Sequence, residues 1–309
     1  MERKIYKELL KWKNTDMQKP LMIIGARQIG KTYIIKEFCQ KEFKQYIYIN
    51  LLEHSEIIKI FKQEINTAEK FNRMKIYLDI DIDIENTIIF FDEIQESEEL
   101  ISSLKYFNES EEPFKIICAG SLLGVKLKRM HTSFPVGKVK MLNMYPMDFE
   151  EFLMANGNQG LIDEIYKCYN VNIPMDTVLH EKALNLYRLY LCVGGMPEAI
   201  KNLLNNNKDI LKFDKSIIED IILPYLNDMN KYVQNKAEAI KTEAIYKSIP
   251  SQLGNKSNKF QYGKISSNAR KRDYETSLDW LLSSTMVHKC IILNKVEIPP
   301  LRIYRWRPF

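Results

Sequence analysis

The sequence predicts an α/β fold: a parallel sheet with flanking helices, followed by a helical subdomain and a winged-helix-like region. Three observations lead there. Short apolar runs recur at LMII (residues 21–24), QYIYIN (45–50), TIIFF (87–91) and FKIICA (114–119). Helical segments separate them, and strands that are apolar throughout belong to parallel sheets covered on both faces. From Asp148 onward no strand pattern interrupts a series of helical periods until the C-terminal region.

The elements follow in order. Residues 2–13 read as a helix, with Ile5, Leu9, Leu10 and Trp12 apolar among Lys and Glu. After Pro20 come a strand, a glycine-bounded loop and a helix in which Ile34, Ile35, Phe38 and Cys39 repeat at helical spacing. The segment EELISSLKYF places Leu100, Ile101, Leu104 and Phe107 on one helical face. Beyond Asp148, FEEFLMANG, LIDEIYKCY and TVLHEKALNLYRLYL are helical. A GGMP turn, EAIKNLL and a long stretch from Lys208 to Tyr232 follow. Residues 237–293 give a helix on Ile240, Ala244, Ile245 and Ile249, a polar link, a second helix on Tyr274, Leu278, Leu281 and Leu282, and a β-rich run VHKCIIL. That order resembles a winged helix-turn-helix. The expected boundaries are a core over 1–147, a helical subdomain over 148–236 and a winged-helix-like region over 237–309.

Composition narrows the class. With 309 residues, 45% hydrophobic and 28% charged, the chain falls among soluble globular proteins. It holds no apolar run of the roughly 20 residues a membrane span needs, and MERKIYKELLKWKN lacks the features of a signal peptide. The expectation is a cytoplasmic protein without a membrane partner. Five scattered cysteines without CxxC spacing, and four histidines without HExxH, argue against disulfides and structural zinc. Cys118, on an apolar strand, reads as core. A net charge of +5 permits a nucleic-acid partner without requiring one. The stretch Lys264 to Arg272 and the tail LRIYRWRPF are basic, the tail carrying three of the ten arginines.

Gly25-Ala26-Arg27-Gln28-Ile29-Gly30-Lys31-Thr32 fits GxxxxGK[ST] between a strand and a helix, where a phosphate-binding P-loop must lie. Its glycines let consecutive N–H groups face the phosphates, and the helix adds the positive end of its dipole. Lys31 is placed at the β- and γ-phosphates and the Thr32 hydroxyl on Mg²⁺. The apolar run Ile88 to Phe91 delivers Asp92 and Glu93, the first as a metal holder, the second as the base that orients and deprotonates water. The fold class is thereby a P-loop NTPase sheet, with ATP and Mg²⁺ as cofactors. Ser121, after the fourth strand, is a γ-phosphate sensor candidate, and Gln95 is a second. Arg129 and Lys138 lie where an arginine finger for a neighbouring subunit could sit; a solvated basic face is the alternative. Lys264, Arg270, Lys271 and Arg272 are DNA-contact candidates at the start of a helix, or simply a solvated helix start.

Several further blocks resemble those of prokaryotic AAA-type P-loop ATPases that carry a C-terminal domain of unknown function. They are GARQIGKT (25–32), IIFFDEIQ (88–95), AGSLLG (119–124), SFPVGKV (133–139), YPMDFEEFL (145–153), GGMPEAI (194–200) and SIPSQLGNKSNKFQY (248–262). The resemblance implies nucleotide and Mg²⁺ binding by Lys31 and Thr32, metal and water roles for Asp92 and Glu93, and a winged-helix-like module after the ATPase core. In that family the segment near PPLRIY leads into further strands and a nuclease-like domain. Here the sequence stops at Phe309, so a truncated member is the expectation, and nuclease activity is not carried over. Two functions remain open at this stage: an ATPase whose turnover drives conformational change, with DNA and a second copy of the chain as candidate partners, and a nucleotide-dependent switch or docking module with little or no turnover.

Overall fold

Burial on both faces dictates the sheet. The computed structural model describes residues 1–15, 19–81, 83, 86–108, 114–129, 135, 137–233, 235–255 and 259–290. Helix α1 (Ile5–Lys13) buries Leu9 and Trp12, and the Trp12 indole donates to the Lys19 carbonyl at 2.8 Å. Strand β1 (Leu21–Ile24) is wholly buried and feeds α2 (Lys31–Glu42), whose Phe38 ring meets Tyr6 and Trp12 of α1. Then come β2 (Gln45–Asn50), α3 (Ser55–Lys62), α4 (Thr67–Leu78), β3 (Thr87–Asp92), α5 (Glu98–Asn108), β4 (Lys115–Gly120), α6 (Leu123–Arg129) and β5 (Lys140–Asn143). The four expected strands and the alternation of strand with helix are all present.

All five strands are parallel, in the order β2-β3-β4-β1-β5. The sequence pattern does not announce β5. It is four residues long, sits at the sheet edge beside β1, and alternates half-buried with exposed positions, so KMLN lacks the apolar run of the inner strands. Under one face of the sheet, Phe61, Phe71, Phe91, Phe107, Leu100, Leu104 and Ile116 share a continuous core.

Helix α7 (Phe149–Ala155) opens the helical segment with a reciprocal cap: the Asp148 carboxylate accepts from the Glu151 amide at 2.9 Å and Glu151 Oε2 accepts from the Asp148 amide at 3.2 Å. It is followed by α8 (Gln159–Val171), α9 (Thr177–Val193) and α10 (Pro197–Asn205), with Leu153, Leu161 and Ile162 forming a small core. The stretch from Lys208 to Tyr232 is not one helix. A 3₁₀ turn at Ile210–Lys212 precedes α11 (Ser216–Tyr232).

By packing, the chain divides into two units, Met1–Ile218 and Glu219–Phe309. The second contains most of α11, then α12 (Lys236–Leu253) and α13 (Lys271–Ser283). These two helices pack through buried Ala239, Ile245, Trp280 and Leu281, and Ser277 Oγ donates to Glu238 Oε2 at 2.7 Å. The expected β-rich run begins as irregular chain: Val287–Cys290 form no strand, and Ile291–Leu293 lie outside the described residues. The described part of the expected winged-helix-like region is therefore a helix pair. No helix among the described residues is long and apolar enough to cross a membrane.

The GGMP turn is fixed by close backbone approach. The Met147 amide donates to the Gly195 carbonyl at 2.7 Å, and a Cβ on Gly195 would stand 2.2 Å from the Met147 carbonyl oxygen. Gly195→Ala is therefore expected to cost about 1–3 kcal/mol of stability through forced backbone displacement. Chemical denaturation reads this directly, and an unchanged midpoint would refute the close packing.

Candidate nucleotide-binding site

Strand order assembles the site. Because β4 lies between β1 and β3, the loop after β1, the acidic pair after β3 and the turn after β4 all emerge side by side at the C-terminal edge of the sheet. The loop turns where glycine is required. A Cβ on Gly25 would lie 2.3 Å from the Met144 carbonyl oxygen at the end of β5, and Gly30 has φ of +90°. Gln28 also adopts positive φ, at 59°. The first amide of α2 to reach a backbone carbonyl among the described residues is that of Ile34, which donates to Gly30 at 3.1 Å. The amides before it are the open donors of a helix N-terminus.

Lys31 is buried, and its Nζ donates back to the carbonyls of Gly25 at 3.0 Å and Ala26 at 2.6 Å. Burial pushes the ammonium down to about 8, against the opposing pull of the Glu93 and Asp92 carboxylates. Thr32 Oγ1 donates to Asp92 Oδ2 at 2.7 Å, and the Tyr48 hydroxyl donates to the same oxygen at 3.2 Å. The other Asp92 oxygen accepts from the Glu93 amide at 3.1 Å. Burial raises the Asp92 carboxyl, while the Thr32 hydrogen bond holds it down. A hydroxyl and a carboxylate brought together beside a phosphate-binding loop form a hard-oxygen set of the kind Mg²⁺ takes together with phosphate oxygens.

Glu93 sits at φ 53°, a left-handed conformation that turns the chain sharply after the strand. Its Oε2 accepts from Gln95 Nε2 at 2.5 Å. The far end of that amide, Gln95 Oε1, is buried without a hydrogen-bond partner and lies 2.3 Å from where a Cβ on Gly120 would be. Ser121 is buried at the adjoining turn. Thus Lys31, Thr32, Asp92, Glu93, Gln95 and Ser121 gather along one edge. Ala26 and Ile29 are buried within the loop, and Arg27 and Gln28 are its more exposed members.

Two residues at this edge carried no sequence signal. Tyr48 supports Asp92 from β2, with the Lys36 ammonium 3.4 Å from its ring centroid. Its alternating strand gives no hint of a polar task. Arg3, just before α1, donates through Nη1 to the Ile29 carbonyl at 2.7 Å, through Nη2 to the Tyr145 carbonyl at 2.6 Å, and through Nε to Glu151 Oε1 at 3.2 Å. No pattern in the sequence links Arg3 to the loop or to Glu151.

Other candidates lie elsewhere. Lys264, Arg270, Lys271 and Arg272 are exposed in the second unit. Lys271 pairs with Glu275 at 3.5 Å and Arg272 with Asp273 at 3.6 Å. Lys138 is exposed, and the Arg129 side chain lies outside the described residues, as does the basic tail.

A parallel sheet with this loop and this acidic pair has the arrangement of a P-loop nucleotide-binding fold. Residues 17–153 match the AAA domain family, and residues 184–298 match a domain of unknown function (DUF8612). It is 30% identical over 194 residues to the uncharacterized protein MJ1544 of Methanocaldococcus jannaschii. That alignment covers 62% of this chain and only 38% of the relative. Similar solved structures include the Walker-type ATPase PABY2304 of Pyrococcus abyssi, at TM-score 0.49 and 15% identity, over 92% of this chain and 89% of that one. The ORC2 protein of Aeropyrum pernix aligns at TM-score 0.46 and 13% identity, over 93% and 84% respectively.

The buried ammonium has a definite linkage sign. Its folded value of about 8 lies below the ordinary 10.5, so between those values the unfolded chain binds more protons and stability rises with pH. Nucleotide-free protein is expected to gain stability across that window relative to Lys31→Met. Parallel denaturation curves with pH would refute the assignment.

Proposed function

We propose that the chain binds ATP with Mg²⁺ at the P-loop and hydrolyses it, using the cycle to reposition the helices that follow the sheet. The observation that carries this reading is the Thr32 to Asp92 hydrogen bond of 2.7 Å, with Glu93 as the next residue. It joins a loop hydroxyl and a strand-end carboxylate from segments sixty residues apart, and sets a second carboxylate beside them. In this reading Lys31 leaves the carbonyls of Gly25 and Ala26 for the β- and γ-phosphates, so an ammonium now bonded to its own loop exchanges partners. Open amides of the loop and of α2 bind phosphate oxygens. Bound Mg²⁺ supplies charge neutralisation on the phosphates, with Thr32 and Asp92 as its protein-side holders. Glu93 orients the attacking water and takes its proton. Ser121 and Gln95, at the turn between the two halves of the site, sense the terminal phosphate.

A second reading is favoured by one contact. Glu93 is held by Gln95 at 2.5 Å, which occupies one of its two carboxylate oxygens. A nucleotide-dependent switch with little turnover would keep that contact throughout. Duplex DNA is the proposed macromolecular partner, through Lys264, Arg270, Lys271 and Arg272. Three of these positive charges stand at the N-terminal end of α13, where the helix dipole disfavours them. Self-assembly and a cytoplasmic location complete the proposal.

Phosphate release by purified protein, with and without duplex DNA, separates the two readings. Glu93→Gln is expected to keep ATP binding within about twofold while lowering turnover by on the order of 10²-fold or more, the range that begins where a lost general base is first felt. Lys31→Ala is expected to weaken binding and turnover together. Turnover unchanged in the Glu93 variant removes the base assignment, and no release under either condition favours the switch.

A further inference from the structure

Among the described residues, Arg3 is the most buried cation outside the loop. Only 7% of it is exposed, and burying a guanidinium costs several kcal/mol that a single ion pair rarely returns. Stability alone is a poor reason to keep a charge there. Its donors are instead divided among three places: the P-loop carbonyl of Ile29, the Tyr145 carbonyl in the linker after β5, and the Glu151 carboxylate on α7. Glu151 is itself fixed, because its Oε1 also accepts from the Lys4 amide at 2.7 Å and its Oε2 closes the cap of α7.

The contact to Ile29 has a directional consequence. A trans peptide is planar, with its C=O and N–H pointing in opposite senses. The carbonyl of Ile29 and the amide of Gly30 belong to one peptide unit. Holding that carbonyl outward against Arg3 turns the Gly30 N–H inward, toward the concave face of the loop. Arg3 Nη1 and Pro197 Cγ each lie 3.7 Å from where a Cβ on Gly30 would stand, so both pack against the glycine. Charge on the acceptor side also polarises the peptide and strengthens its donor.

We propose that Arg3 is a positioning residue for phosphate recognition: it acts through the Ile29–Gly30 peptide to aim the Gly30 amide at the β-phosphate of a bound nucleotide, and Glu151 locks its orientation. The inference rests on the nucleotide-binding reading of the loop. It concerns a residue outside the loop motif that touches no substrate.

Titration calorimetry of the full chain with ADP and with AMP, without turnover, tests it. Arg3→Ala is expected to weaken ADP by about tenfold, the scale of one misdirected hydrogen bond, and to change AMP, which lacks the β-phosphate, by less than about twofold. Arg3→Lys keeps the charge but cannot span three acceptors, so its ADP loss is expected to be smaller, about threefold. Should Arg3→Ala fail to fold, Arg3→Lys carries the same ADP-against-AMP comparison. ADP affinity unchanged in a folded Arg3 variant overturns the proposal and leaves the binding reading intact, as does an equal loss for ADP and AMP. Folded wild-type protein that binds neither ADP nor ATP overturns the binding reading itself.

Discussion

Everything at the site depends on one topological constraint, the insertion of β4 between β1 and β3. Parallel strands point their C-terminal ends the same way, so whatever follows them shares an edge. With β4 as spacer, the loop after β1 and the acidic pair after β3 are kept one strand apart. Thr32 reaches Asp92 across that gap, and the turn at Gly120 and Ser121 fills it from below. Chain distance is irrelevant to this assembly; strand order decides it. The hydrophobic core serves the same end, since a one-residue slip of a strand would exchange the side chains on its two faces and undo their packing.

The site edge holds opposing electrostatic tendencies in a small volume. Burial disfavours both the Lys31 ammonium and the Asp92 carboxylate, yet each has local partners: loop carbonyls for the first, Thr32, Tyr48 and a backbone amide for the second. The Lys31 ammonium is met by two loop carbonyls, which carry only partial negative charge. An arriving phosphate would supply the negative charge that the carbonyls only approximate. Gln95 has an analogous relation to Glu93, with the difference that its second amide end is buried without a partner. An orphaned acceptor beside a bonded carboxylate is a local imbalance that rearrangement of the site could relieve.

Much of this was legible in the sequence. The P-loop and the acidic pair could be found because each combines a fixed spacing with a strand of distinctive composition, LMII before Gly25 and IIFF before Asp92. Strand β5 was hidden, since an edge strand of four residues with half-exposed positions leaves no apolar run to detect. Arg3 and Tyr48 were illegible for a different reason. Their tasks arise from contacts 26 and 44 residues away, and a single arginine before a helix, or a tyrosine on a strand, has no pattern to separate it from its neighbours. The β-rich run after α13 is only partly open to comparison: Val287–Cys290 form no strand, and the apolar Ile291–Leu293 that carry the β signal lie outside the described residues.

The short linker from Met144 to Asp148 has a consequence for how this architecture can vary. The Met144 amide donates to Ile24, the Tyr145 carbonyl accepts from Arg3, the Met147 amide and carbonyl engage Gly195 and the Tyr190 hydroxyl, and Asp148 caps α7. Four of these five residues thus spend polar groups on β1, the N-terminal segment, α9 and the turn after it, and α7. Surface loops tolerate added residues because their ends are all that is fixed. Here nearly every intervening group is fixed as well. One inserted residue here would disturb several of these partnerships at once, whereas an outer loop could take it up at little cost.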